Sequence, residues 1–82
     1  MDFEQALQDC GNSLEKLGAL TDELAGEIDA AYAREDAEQC SLLHFRFTRL
    51  FEYARIHLAP GDYHIFRKKL EKWEKGKYPP LG

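Results

Sequence analysis

Apolar residues recur along the first third of the chain at alternating spacings of four and three: Phe3, Leu7, Cys10, Leu14, Leu17, Leu24, Ile28 and Ala31. Thr21 fills the one polar slot in the series. A heptad-like stripe of this kind turns one side of an α-helix toward a core, so it predicts a helix over 2–33. Asp2 followed by Gln5 predicts a capping box at its start. Gly11 and Gly18 each weaken a helix by about 1 kcal/mol relative to Ala, and Gly11-Asn12-Ser13 or Gly18 can divide it into two pieces. The same glycines and Ala25 form a row of small residues along which a neighbouring backbone can approach if the helix is continuous. The pattern leaves both readings open.

Arg34-Glu35-Asp36 interrupts the stripe and predicts a tight turn, with acid where the next helix begins. That helix, expected over 36–58, carries Cys40, Leu43, Phe47, Leu50, Ala54 and His57 on one face, flanked by His44, Phe51 and Leu58. At 100° per residue, Leu42, Phe45, Tyr53 and Ile56 fall on roughly the opposite side, with Arg46, Arg49, Glu52 and Arg55 emerging between. A helix apolar on two sides is expected to be sandwiched, here between the first helix and either a third helix or a second subunit. Ala59-Pro60-Gly61-Asp62 reads as a turn, with Asp62 capping a helix over 62–76 that places Tyr63, Phe66, Leu70 and Trp73 on one face. The tail, 77–82, is expected to be non-helical. The expected fold is all-α, a single helical domain over 1–82: a small three-helix bundle built on a long antiparallel α-hairpin with a shorter third helix.

Composition constrains that core. With 82 residues, 44% of them hydrophobic, the chain has the apolar content of a folded domain, but a domain of this size buries only about 60% of its unfolded surface. Charge is divided unevenly. Residues 1–40 carry eleven Asp or Glu against Lys16 and Arg34, and residues 41–82 carry nine Lys or Arg against four acids, so the halves stand near −9 and +5 within a net −4. Opposite fields on two segments favour their pairing, within one molecule or between two. No apolar run reaches the roughly 18 residues of a membrane span. The acidic start, Met1-Asp2-Phe3-Glu4, is unlike a secretory signal, and a cytoplasmic protein is expected. Cys10 and Cys40 are expected to lie roughly 30 Å apart along the hairpin at 1.5 Å per residue. A disulfide needs Cα atoms within about 7 Å, so buried free thiols are the expected state.

Few residues are arranged for chemistry. Cys40 and His44 share a helical face at ligand spacing, but a structural zinc site needs four ligands and His57 and His64 stand far from them, so no metal or cofactor is expected. No serine or threonine sits in a nucleophile elbow or phosphate loop, and no enzyme is expected. Asp22, Glu23, Glu27 and Asp29 decorate a helix and read as a solvated face. The basic cluster Arg67, Lys68, Lys69, Lys72, Lys75 and Lys77, interleaved with Tyr63, Trp73 and Tyr78, is the candidate nucleic-acid surface, tempered by a pI near 5.3 and by the absence of helix-turn-helix spacing.

These features point to a non-enzymatic protein–protein interaction module, adaptor-, chaperone- or inhibitor-like, forming a homodimer. Its expected contact residues are Phe45, Tyr53, Ile56, Trp73 and Tyr78, because aromatic anchors dominate interface energetics; burial in the monomer core is the competing fate of all five. The alternative is a nucleic-acid-binding accessory protein working through the basic third helix. The run Ile28-Asp29-Ala30-Ala31-Tyr32-Ala33-Arg34-Glu35-Asp36-Ala37 resembles the hairpin turn of small bacterial export chaperones and similar helical adaptors, a resemblance that carries over no functional residue.

Overall fold

A computed structural model describes residues 2–74, and their side chains as far as residue 69. The described residues are all-α, in four helices: α1 (Phe3–Cys10), α2 (Leu14–Ala33), α3 (Ala37–His57) and α4 (Pro60–Glu74). The helix expected over 2–33 is thus divided, and the division falls at Gly11. That residue has φ 57° and ψ −128°, a backbone conformation open to glycine and strained for any residue with a Cβ. Ser13 then caps α2, its Oγ accepting from the amide of Lys16 at 3.2 Å. Two positions after Gly18 stands Leu20, which cannot cap as Ser13 does two positions after Gly11, and the helix runs through Gly18.

The start of α1 also differs from expectation. Asp2 caps it by accepting from the Glu4 amide at 3.0 Å. Gln5 does not reach back to complete a capping box; its Nε2 donates to Asp9 one turn on, at 3.0 Å.

The reversal between α2 and α3 takes only Arg34-Glu35-Asp36. Glu35 sits at φ 54°, its amide bonding the Tyr32 carbonyl, while the Asp36 amide bonds the Ala31 carbonyl, both at 3.0 Å. This is a Schellman ending with glutamate where glycine is usual. Asp36 then caps α3 by accepting from the Gln39 amide at 3.0 Å, so one residue serves both helices. The fourth helix begins two residues earlier than the Asp62 cap expected for it. Pro60 is its first residue, where the missing N–H is no loss and the fixed φ suits a helix. Asp62 lies inside the first turn. The expected end near Gly76 and the tail 77–82 lie outside the described residues.

α2 and α3 form the central hairpin, and their facing stripes make the core: Leu17, Leu24, Ile28 and Ala31 against Cys40, Leu43, Phe47, Leu50 and Ala54. Leu7 and Cys10 from α1, Leu58, and Phe66 from α4 complete it. Thr21 is buried in the polar slot, and its hydroxyl donates to the Leu17 carbonyl at 2.8 Å, so the stripe contains no unsatisfied polar group at that point. Both short helices fold back along the hairpin. Phe3 of α1 comes to Leu20 and Leu24 of α2, and Phe66 of α4 comes to Leu14 and Gly18. At 100° per residue these contacts lie on different flanks of α2.

Candidate functional site

The second apolar side of α3 is largely uncovered, and α1 lies beside it, meeting α3 at Arg46 and Arg49. Because the chain reverses at Gly11, Glu4 is brought over Arg49, where its two oxygens accept from Nε and Nη2 at 2.8 Å each. Arg49 also reaches Glu52, one turn on, at 3.3 Å. The Arg49 hydrogen bond and charge hold the Glu4 carboxyl below its usual range. Beside this pair the Arg46 guanidinium lies 5.7 Å from the centre of the Phe3 ring. Tyr53 is half-buried against the core and stacked on His57 with ring centres 4.0 Å apart.

Beyond the reach of α1, the face stays open. Leu42 is 44%, Phe45 63% and Ile56 71% exposed. Leu42 and Phe45 are neighbours one turn apart, as are Tyr53 and Ile56, and Arg49 and Glu52 lie between the two pairs on the same side of the helix. Of the large hydrophobic residues exposed among the described ones, three lie here and the fourth, Ile65, is on α4. Scattered exposed aliphatics are ordinary, whereas three on one side of a helix are more than a surface usually shows.

The five residues expected to make contacts therefore divide. Phe45 and Ile56 are open to solvent, and Tyr53 is partly taken into the molecule. The Trp73 side chain and Tyr78 lie outside the described residues. Leu42, which was not among the five, belongs with the open pair, and its i, i+3 relation to Phe45 was the available signal. Of the alternative nucleic-acid set, Arg67, Lys68 and Lys69 are exposed on α4. Lys69 is turned inward to Asp22 of α2, with Nζ 3.1 Å from a carboxylate oxygen. The side chains of Lys72 and Lys75 lie outside the described residues.

Both cysteines are free and buried, and burial pushes the Cys10 thiol up from its ordinary value. His44 stands edge-on to Tyr32, ring centres 6.3 Å apart, beside buried Cys40. Among the described residues no group of three or more His, Cys, Asp or Glu side chains could hold a metal ion, and no helix is long and apolar enough to cross a membrane. No protein-family model matches the chain, and no curated protein or solved structure is significantly similar to it.

Proposed function

We propose that this protein is a non-enzymatic protein-binding module, adaptor-, chaperone- or inhibitor-like, whose contact surface is the open part of the outer face of α3. The observation that carries the reading is the exposure of Phe45 and Ile56 on the side of α3 turned away from the core. Leaving two large apolar side chains in water forgoes about 1.5–3 kcal/mol of burial for each, which an interface recovers. The working scaffold in this reading is the α2–α3 hairpin with the shorter α4 laid against it and α1 folded back into the same core. It acts in the cytoplasm, where free thiols stay reduced, and it pairs with a second copy through the same face.

Affinity purification from the native cell tests this, with the wild-type chain compared with a Phe45→Asp/Ile56→Asp variant that retains its helical circular dichroism. A partner held by the wild type and lost by the variant supports the reading. Identical sets of proteins on both overturn it. Light scattering at micromolar concentration tests the second copy: twice the chain mass of 9.5 kDa is expected, and a monomer removes the dimer while leaving the binding surface standing.

The alternative reading, a nucleic-acid surface on α4, has less support. Lys69, one of the three described basic side chains of the cluster, is engaged by Asp22, and phosphate binding would have to break that pair.

A further inference from the structure

A groove of about 450 Å³ runs between α1, α2 and α3, on a different surface from Phe45 and Ile56. Its apolar lining is Phe3, Leu20 and Leu24. Glu23 and Glu27 stand along one wall and Arg46 along the other. Leu24 is buried, Phe3 and Leu20 are half-buried, and both glutamates are exposed. No ion pair among the described residues involves Glu23 or Glu27. The groove thus offers an apolar floor beside two unpaired carboxylates one helical turn, about 6 Å, apart.

The other flank of α2 shows what such a surface accepts. There α4 lies over Leu14 and Gly18, burying Phe66, and three residues later Lys69 reaches Asp22 with Nζ 3.1 Å from a carboxylate oxygen. An apolar anchor followed within one turn by a lysine already docks on α2 from within the chain. On the groove side no described residue visits the carboxylates in this way.

We infer that this groove is a docking site for a basic amphipathic helix of another protein, with a leucine- or phenylalanine-sized side chain on Phe3, Leu20 and Leu24 and with lysines or arginines on Glu23 and Glu27. Arg46, held against the Phe3 ring, repels cations from the α3 wall, so the bound helix turns its basic flank toward α2. The residues 1–40 that include this wall carry a net charge near −9, and that field steers a cationic segment toward the site.

The probe is a fluorescein-labelled peptide of about 18 residues with leucines on one face and lysines on the other, long enough to form a helix when bound. A counterpart with glutamate in place of lysine serves as the control peptide. At low ionic strength the lysine peptide should bind saturably and the glutamate peptide should not. Glu23→Lys/Glu27→Lys should weaken binding about tenfold or more, and Leu20→Gln severalfold. Glu15→Lys/Glu38→Lys, an equal change of charge on exposed residues outside the groove, should weaken it less than about twofold, by long-range field alone. Backbone amide NMR shifts on titration should centre on Phe3, Leu20 and Leu24. Equal losses in both charge-reversal variants would mean attraction by net charge alone and would overturn the inference. So would shifts confined to Phe45 and Ile56, which place the peptide on the outer face of α3 instead, or an absence of saturable binding.

Discussion

The two sides of α3 have nearly the same appetite for burial and opposite fates. Cys40, Leu43, Phe47, Leu50 and Ala54 face α2 and are closed to water, whereas Leu42, Phe45 and Ile56 face away and remain open. The inner side is met along its length by the heptad stripe of α2. The outer side is met only by the start of α1, where Glu4 and Phe3 reach Arg49 and Arg46, while the apolar residues of α1, Leu7 and Cys10, go to the shared core. Apolar pattern alone therefore says that a face seeks cover; the length and direction of the neighbouring element decide how much it receives. The same alanine substitution on the two sides gives the widest contrast. Leu43→Ala should cost about 2–5 kcal/mol, a large share of the roughly 4–12 kcal/mol available to a domain of this length. At concentrations low enough to keep the chain monomeric, Phe45→Ala should stay within about 0.5 kcal/mol of wild type. Urea melts followed by circular dichroism measure both, and a Phe45→Ala loss approaching that of Leu43→Ala would show that the outer face is covered in solution.

What lays α1 on that outer face is the backbone at Gly11, and a set of three substitutions isolates it. Gly11→Ala forces a Cβ into a positive-φ conformation and should cost about 1–3 kcal/mol, although the added methyl meets nothing within 4 Å. Gly18→Ala should do the reverse. Its Cβ would stand 3.6 Å from the Lys69 Nζ, an ordinary contact with the end of a flexible side chain, so the gain in helix propensity, up to about 1 kcal/mol, should show as added stability. Glu35→Gly relieves the one positive-φ side chain among the described residues and should raise stability by less than about 1 kcal/mol, the strain relieved being partly offset by glycine's greater unfolded freedom. If Gly11→Ala proves neutral, the fold-back of α1 does not depend on that backbone turn.

Much of this was legible in the chain. The stripe from Leu7 to Ala31 is buried at every position but Leu14, which is half-buried, the turn at Arg34–Asp36 falls where the pattern breaks, and the two apolar sides of α3 are both present. The division at Gly11 was one of two readings, and what separates it from Gly18 is local: Ser13 follows at cap distance in one case and nothing comparable follows in the other. The reversal direction was not legible, because a heptad stripe keeps its phase through the break. Cys10 and Leu14 stay in register as though the helix continued, and only the dihedrals of Gly11 send α1 back along the hairpin. The start of α4 was misplaced for a similar reason. Pro60-Gly61 reads as a turn by composition, while proline at the first helical position is equally good chemistry. The groove beneath Glu23 and Glu27 was hidden by the same gap, since those glutamates read as a solvated face until Phe3 is folded down beside Leu20 and Leu24.

The smallest effect tests whether α1 holds its place by charge. Glu4 is exposed and Arg49 half-exposed, so their pair is screened by salt and contributes little, but its sign is fixed by linkage. The folded-state carboxyl of Glu4 is held below its usual value by Arg49, so the folded state binds that proton less readily than the unfolded chain does. The contribution is therefore present above the ordinary carboxylate range and is lost as pH falls through the lowered value. Glu4→Gln should accordingly lower the melting temperature slightly at neutral pH, and the two proteins should converge in acid and in high salt. Amide hydrogen exchange gives the local counterpart. The amides at the start of α1 should exchange faster in the variant while those of Leu43 to Leu50 keep their protection, because Glu4 holds only the exposed end of α1 and Leu7 and Cys10 still anchor the helix in the core. Faster exchange on both sides at once would mean that the two faces of α3 open as a single unit and that the contrast between them is one of exposure, not of stability.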